Sequence, residues 1–361
     1  MRLSSVLLLL FASSLGCTDE AAELDLPPTE LVFDGDQLRI HAAPGLTPCL
    51  GTGPAMEEML GFLARETGLG PLDDPIDLYW LEGDDVQEAC GFSFEVRGCS
   101  LPSSEAITSA LPEEHELVHA YLQRQGTSFT RYSFLEEGLA TVYGTERLLP
   151  EPKTTLEDAL SYAEALPAGH YPRAGHFVSF LIDAFGPQSV AEFVMKSSSF
   201  TPATFASEFA DHFGASLESV SDTYAMTPQR CTGAGWQRRV ACDHPATAWT
   251  RPSTWTIDVG AGCSAEASVG AADGPVQERF VLEIPEAGLF DVRRGTPSAV
   301  GLPVVDVVGC GGCEQDFALE HDLGDGLVLA DYPIDAGRYL VTTTFEDDGA
   351  VAPNAVTFFR N

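Results

Sequence analysis

The sequence His115-Glu116-Leu117-Val118-His119 decides how this chain is interpreted, because it combines two imidazoles with a carboxylate. A helix over residues 112–125 is predicted, since a proline and two glutamates begin it and a glycine follows it. On that helix the two histidines lie one turn apart on one face, so both can bind the same metal ion. Glu116 is displaced around the helix, where it can act as a base toward metal-activated water. The motif therefore indicates a hydrolytic zinc site.

A catalytic zinc site needs a third protein ligand. The next predicted helix starts at Ser133 and offers Glu136 and Glu137. Ser133 with Glu136 three residues later forms a capping-box pattern, which gives Glu136 a different use. Spacing alone leaves both carboxylates open as ligands.

The run Ser133-Phe134-Leu135-Glu136-Glu137-Gly138-Leu139-Ala140 resembles the gluzincin metallopeptidases. Their third zinc ligand is the glutamate before this glycine, so the resemblance implies Glu137. The run from Tyr171 to Leu181 resembles the segment in which aminopeptidase N-like enzymes carry an active-site tyrosine. The resemblance therefore implies that Tyr171 stabilises the oxyanion. A packed core role for Tyr171, or an oxyanion donor at His170 or His176, stays open.

Residues from about 35 to 225 resemble the peptidase MA group, a branch of the gluzincins, and the segment Phe213-Gly214-Ala215-Ser216-Leu217 is part of that likeness. Two departures matter. The chain lacks the Gly-Ala-Met-Glu-Asn strand with which related aminopeptidases bind the substrate amine, which favours an endopeptidase. Thr141 stands where thermolysin-like enzymes place an aspartate that orients a zinc-binding histidine. The edge strand that would align a peptide is expected within Cys99 to Thr108.

The pattern of apolar residues predicts an α+β fold, a zincin-like metallopeptidase domain followed by a small all-β sandwich. The later strands faintly resemble the sandwich domains appended to secreted bacterial peptidases. Further helices are predicted at 54–67, 173–185, 189–196 and near 205–213. Strands are predicted at 38–41, 76–81, 255–259, 279–284, 289–292, 304–308 and 337–344. We divide the chain into a signal peptide at 1–17, a tether at 18–35, the metallopeptidase domain at 36–228, a Cys-containing linker at 229–250 and the sandwich at 251–361.

The N-terminus predicts export. Arg2 precedes a short apolar run at 6–12, and Ser14-Leu15-Gly16-Cys17 follows, which is typical of a signal peptide too short to span a membrane. It resembles a bacterial lipoprotein signal, which implies lipid on Cys17 and a location at the outer membrane or cell surface. Ordinary cleavage, with Cys17 left as a thiol and the protein periplasmic or secreted, is the alternative. A lipid anchor is thus the only membrane attachment expected.

The remaining eight cysteines are an even set, as exported proteins with disulfides have. Local pairing is expected for Cys90 with Cys99 and for Cys231 with Cys242. Cys310-Gly311-Gly312-Cys313 favours a redox or structural bridge over a zinc ribbon, because no second such pair lies nearby.

The net charge of −35, from 54 acidic against 19 basic residues, excludes nucleic acid as a partner, because its phosphates would be repelled. The expected function is zinc-dependent hydrolysis of peptide bonds in extracytoplasmic peptides or proteins, with Glu116 as general base. The competing interpretation is a surface lipoprotein that keeps zinc, has lost turnover, and binds a partner through its sandwich.

Overall fold

The structure is a computed structural model that describes residues 26–91, 96–101, 103–126, 133–144, 153–162, 166–197, 201–226, 242–249, 253–259, 262–272, 274–294, 304–310, 317–319, 327–346 and 354–361. The expected signal peptide and Cys17 lie outside these residues, as do Cys231 and Cys313.

Helices alternate with a first set of strands over the N-terminal two thirds of the described chain. The helices are α1 (Thr52–Thr67), α2 (Gly83–Ala89), α3 (Glu114–Arg124), α4 (Ser133–Tyr143), α5 (Leu156–Leu160), α6 (Tyr171–Phe185), α7 (Pro187–Lys196), α8 (Pro202–Phe213) and α9 (Leu217–Met226), with a 3-10 turn at Ala168–His170. The strands are β1 (Glu30–Asp34), β2 (Leu38–Ala42), β3 (Ile76–Trp80), β4 (Gly98–Ser100) and β5 (Ala106–Thr108). We call this part, residues 26–226, the helical half.

The five strands form one mixed sheet in the order β1-β2-β3-β5-β4. Strands β2, β3 and β5 run parallel, and the two edge strands β1 and β4 run antiparallel to their neighbours. Side chains alternate along β2 and β3, so Leu38, Ile40 and Leu78 enter the core that the helices cover. The sheet thereby supplies a fixed base for α3, which follows directly after β5.

The C-terminal part consists of two antiparallel sheets that share one core, and we call residues 254–360 the sheet pair. Its strands are β6 (Thr254–Val259), β7 (Ser268–Gly270), β8 (Pro275–Ile284), β9 (Gly288–Arg294), β10 (Val304–Gly309), β11 (Phe317–Leu319), β12 (Leu327–Ile334), β13 (Gly337–Glu346) and β14 (Asn354–Arg360). They are ordered β11-β10-β13-β8-β7 and β12-β9-β14-β6. Trp255, Phe290 and Phe358 from one sheet meet Leu282 and Tyr339 from the other. The whole chain is therefore an α+β protein with several small sheets.

A hydrogen-bonded join connects the two halves at the start of α1. The Cys49 amide donates to the Gly270 carbonyl at 3.0 Å, and the Gly51 amide donates to the Ser268 carbonyl at 3.0 Å. The buried Thr52 hydroxyl donates to the same Gly270 carbonyl at 2.8 Å and accepts from the Gly270 amide at 2.9 Å. These contacts extend the sheet edge at β7 into the helical half, so the halves are joined by backbone pairing as well as by side chains.

Disulfides reinforce this arrangement and correct one expectation. Cys90 pairs with Cys99, which confirms the predicted local bridge. Cys242 pairs with Cys310, so the predicted partner Cys231 is wrong, whereas a structural bridge at Cys310 agrees with the expectation for the Cys310-Gly311-Gly312-Cys313 run. The fold, and not closeness in sequence, decides this pair, because residue 242 packs against β10 and β13 beside Val308 and Leu340. A third bridge, Cys49–Cys263, joins the two halves.

The disulfides of the described residues are consistent with an extracytoplasmic location. Within those same residues, no single helix has the length and apolar character to cross a membrane. One sharply bent pair, Ala168–Phe185 with Pro187–Lys196, reaches that length and composition only when both helices are taken together.

The predicted tether at 18–35 is wrong over its last residues, because Glu30–Asp34 forms β1. This strand pairs with β2, and Phe33 packs against the core of the helical half. The consecutive apolar residues 31–33 were the sequence signal for it. Helices α2, α5 and α9 were also not predicted, and each contributes only one fully buried residue.

We expect the inter-half bridge to stabilise the protein more than the local one does. Cys49 and Cys263 are separated by 214 residues, and Cys90 and Cys99 by 9. In the chain-entropy description, the longer loop stabilises the fold by about 3 kcal/mol more. Serine at both positions of Cys49–Cys263 should therefore lower the free energy of urea unfolding by that much more than serine at both positions of Cys90–Cys99. Equal losses would contradict the expectation.

Candidate metal centre

Three predicted ligands converge in the structure on one small volume between α3 and α4. His115 Nε2 lies 3.3 Å from Glu137 Oε2, and His119 Nε2 lies 3.5 Å from the same oxygen. All three ligand atoms lie within 4.8 Å of one another. A tetrahedral ion with bonds of about 2.1 Å holds its ligand atoms about 3.4 Å apart. The three side chains could therefore hold a metal ion with small adjustments.

Helix α3 places its two histidines on the same side because they are one turn apart. Their ring centroids are 5.0 Å apart and their planes are inclined by 75°. The buried Glu113 caps this helix by accepting a hydrogen bond from the Glu116 amide at 3.3 Å. The Thr108 hydroxyl at the end of β5 donates to the same carboxylate at 3.1 Å. The cap thus ties the metal helix to the sheet.

Two glycines let α4 approach its neighbours closely enough to deliver Glu137. A Cβ on Gly138 would lie 2.4 Å from Val178 Cγ2 of α6, and a Cβ on Gly144 would lie 2.5 Å from the Cα of His115. Any larger residue would push α4 away from α6 or from the start of α3. The glycine of the Glu-Gly-Leu-Ala run is therefore required for the packing of α4 in this chain.

The site is partly exposed to solvent. The side chains of His115, His119 and Glu137 retain 23%, 10% and 17% of their exposure. A structural metal site is closed by four protein ligands, whereas a catalytic one leaves a position for water or substrate. Three ligands with residual exposure would leave room for a non-protein ligand at a bound ion.

The two imidazoles and the carboxylate perturb one another strongly. Burial raises the pKa of Glu137, but hydrogen bonds from His115 and His119 outweigh it and lower the value to about 2. Burial lowers the pKa of His119, but the hydrogen bond to Glu137 and its negative charge outweigh that effect, and the pKa rises to about 9. The raised pKa of His119 and the lowered pKa of Glu137 thus describe one ion pair between the two side chains.

Glu116 borders the group without joining it. Burial raises its pKa, positive charge on the two histidines opposes the rise, and negative charge on Glu113 and Glu137 adds to it. The residue is partly exposed, and its Cγ lies 3.1 Å from where a Cβ on Gly98 would stand. Glu116 therefore lies between the metal ligands and the edge strand β4.

Tyr171 also belongs to this site. It is the first residue of α6, and its ring stacks on His115 with centroids 5.7 Å apart and planes inclined by 13°. Burial raises the pKa of its hydroxyl, as do the charges of Glu137 and Glu116 and a hydrogen bond to Glu137. A protonated phenol is thus held beside the ligands, where it can donate.

The rival residues occupy other positions. The ring of His170 packs against Tyr162 with centroids 4.9 Å apart, and His176 is buried on α6. Glu136 is buried as well, and its charge contributes to the raised pKa of His119, but the converging ligand group includes Glu137 in its place. The predicted capping box is wrong, since α4 begins at Ser133 itself and the Ser133 hydroxyl has no hydrogen-bond partner among the described residues.

Sequence reasoning missed three parts of the site: the capping carboxylate of Glu113, the Gly144 contact with His115, and the position of Gly98 beside Glu116. Glu113 had no strong signal, because glutamate is not among the residues that N-cap positions prefer. The two glycine contacts join segments that are distant in sequence and left no local pattern.

The chain has no more than weak similarity to known proteins among the comparisons that follow. No model of a known family matches the chain, and no curated protein matches it. Solved structures give weak likenesses. The pre-peptidase C-terminal domain of a collagenase from Bacillus anthracis is 10% identical at a TM-score of 0.21, over 33% of this chain and 99% of that one. The insecticidal crystal protein Cry2Aa is 11% identical at a TM-score of 0.17, over 31% of this chain and 22% of that one. A family GH115 4-O-methyl-α-glucuronidase is 12% identical at a TM-score of 0.16, over 68% of this chain and 41% of that one. TM-scores this low establish neither fold nor function.

We expect Glu137 and its neighbour Glu136 to respond differently to the same substitution. Glu137→Gln replaces a charged ligand by a neutral amide and should weaken zinc affinity by more than about 100-fold, because loss of a mere partner of a ligand already costs about 10–100-fold. Glu136→Gln is the matched control and should leave affinity close to that of the unmodified chain. Chelator competition measures both. The reverse order would contradict the assignment of Glu137.

Metal binding should release protons near neutral pH. His119 is protonated at pH 7 because its pKa is about 9 in the metal-free chain, and an imidazole must be neutral to bind a metal. Affinity should therefore rise with pH by about one decade per unit up to about pH 9. Titration calorimetry in buffers of different ionisation enthalpy measures the release. Binding without proton release would contradict the ion pair of His119 and Glu137.

Proposed function

We propose that this chain is an extracytoplasmic zinc-dependent peptidase of the gluzincin type, related to the peptidase MA group. The observation that carries the proposal is the convergence of His115, His119 and Glu137 within 4.8 Å, at a site that stays partly exposed to solvent. Two imidazoles with one carboxylate are a donor set that suits zinc in hydrolases. In this proposal the helical half is the zincin-like domain, and the sheet pair is the appended sandwich.

When bound, zinc would lower the pKa of a water ligand to about 7 and polarise the scissile carbonyl. Glu116 would accept a proton from the attacking water and pass it to the leaving amine. Its partial exposure beside the ligands suits both steps, and its raised pKa makes it a stronger base than an ordinary carboxylate. Tyr171 would donate its hydroxyl proton to the carbonyl oxygen as negative charge develops there.

An extended peptide is the substrate that the surroundings of Glu116 favour. Strand β4 forms the edge of the described sheet, and its Gly98 lies beside the Glu116 side chain. A peptide can add to such an edge by backbone hydrogen bonds that do not depend on its sequence. The Cys90–Cys99 disulfide fastens this strand to the end of α2. Binding along a strand edge, in a chain whose sequence lacks the amine-binding Gly-Ala-Met-Glu-Asn strand of related aminopeptidases, supports endopeptidase cleavage.

Export is the second part of the proposal. The signal-like N-terminus and the disulfides support a location outside the cytoplasm, and the Ser14-Leu15-Gly16-Cys17 run supports a lipid anchor on Cys17. A lipoprotein at the outer membrane or cell surface would meet peptides and proteins in that compartment.

Glu116→Gln tests the hydrolytic step. The amide cannot accept the proton, so kcat should fall by at least about 100-fold on an unfolded, fluorescently labelled protein substrate. Zinc content should stay that of the unmodified chain, because Glu116 is not a ligand. Glu192→Gln on α7 is the matched control, an exposed residue paired with Lys196, and should keep full turnover.

Two outcomes would contradict the proposal. Full turnover by the Glu116→Gln variant would remove Glu116 as the base. An unmodified chain that holds zinc but cleaves no peptide would support the inactive, zinc-binding lipoprotein instead.

A further inference from the structure

A buried negative charge lies next to the first metal ligand and takes no part in metal binding. Glu114 is the first residue of α3, directly before His115, and its side chain retains only 2% of its exposure. A carboxylate this deeply buried costs several kcal/mol unless a positive charge or hydrogen bonds compensate it. Its partner therefore has a strong effect on where the first turn of α3 can lie.

A positive charge that faces Glu114 comes from the other half of the molecule. Arg279 Nη2 of β8 lies 3.6 Å from Glu114 Oε1, and the Arg279 side chain retains 11% of its exposure. The same Nη2 donates to Gln277 Oε1 at 3.2 Å, which holds the guanidinium in place. Alternate residues of β8, such as Leu282, enter the core of the sheet pair, so Arg279 points out of that core toward the helical half.

Arg279 has a fixed position with respect to α3. Strand β8 pairs with β13 over its full length, with Arg279 opposite Thr342. The sheet that contains both strands is joined to the start of α1 by the Cys49–Cys263 disulfide and by the backbone pairing at Gly270. The guanidinium is therefore anchored on a rigid element and does not sit on a loop.

The backbone of His115 is confined by contacts on neighbouring residues. Gly144 packs against its Cα, Glu113 caps the helix one residue before Glu114, and the Glu114 carboxylate faces Arg279. A shift of the first helical turn would move the His115 imidazole together with Glu114. Metal affinity depends on ligand atoms being held in place before the ion arrives.

We propose that Arg279 is a positioning residue of the metal site, acting through Glu114 to hold the first turn of α3 and thereby His115. The inference rests on the metal-binding part of the proposed function and extends it, because it gives a residue of the sheet pair a role in metal binding. A purely structural ion pair would stabilise the fold without changing zinc affinity, and this difference decides the test.

The test compares the zinc affinity of full-length variants by competition with a chromophoric chelator. Arg279→Gln should weaken affinity by about 10-fold, the lower end of the loss seen when a direct partner of a metal ligand is removed, because Arg279 acts on His115 through Glu114. Arg279→Lys should recover most of it, because a lysine also provides a positive charge toward Glu114 across the 3.6 Å ion pair. Glu114→Gln combined with Arg279→Gln should be no weaker than Arg279→Gln alone, since both remove the same interaction.

Arg360→Gln is the matched control. It removes another arginine ion pair of the sheet pair, with Glu286 at 2.8 Å, and should leave zinc affinity unchanged. Visible spectra of the Co²⁺-loaded chains provide a second reading, since ligand-field bands respond to the position of His115. They should change in Arg279→Gln and stay constant in Arg360→Gln.

Unchanged zinc affinity in folded Arg279→Gln, or an equal loss in Arg360→Gln, would overturn the inference. If Arg279→Gln does not fold, the double variant, which leaves no uncompensated charge, takes its place, and wild-type affinity there overturns the inference equally. The outcome is separable from the peptidase proposal. A chain that binds zinc but cleaves nothing overturns only the peptidase activity, and a chain that binds no zinc overturns both.

Discussion

The close approach of Glu137 to His115 and His119 is the interaction on which the candidate site depends. A carboxylate carried by α4 reaches two imidazoles carried by α3, and their mutual attraction holds one carboxylate ionised and one imidazole protonated. Two close contacts make this possible, at Gly138 and at Gly144, because they bring α4 against α6 and against the start of α3. The close packing of α4 is thus also what places Glu137 beside the two histidines.

Both the mixed sheet and the sheet pair contact the first turn of α3. The mixed sheet holds the start of α3 through Thr108 and the cap at Glu113, and it places the edge strand β4 beside Glu116. The sheet pair reaches the same helical turn from the other side through Arg279. The first turn of α3 is therefore where both halves of the molecule meet the metal ligands.

Local patterns predicted the local structure well. Helices α3 and α4 follow from apolar spacing and flanking residues, and the convergence of Glu137 with the two histidines was expected from its sequence context. Contacts between distant segments left no such pattern. The partner of Cys242 was assigned wrongly because Cys231 is closer in sequence, and the pair of Arg279 with Glu114 gave no signal, because isolated charges of opposite sign are common along any chain. Strand β1 was missed because its sequence pattern is weak, and the strand is defined mainly by its pairing with β2.

The backbone pairing at Gly270 sets a limit on how far this protein can be shortened. A fragment ending near residue 228 would leave the amides of Cys49 and Gly51 and the hydroxyl of Thr52 without their acceptors, at a place that is buried in the whole chain. It would also leave Glu114 without Arg279. The smallest recombinant unit for crystallisation or screening therefore extends from the first sheet through the last strand. Neither half keeps all of its buried contacts without the other.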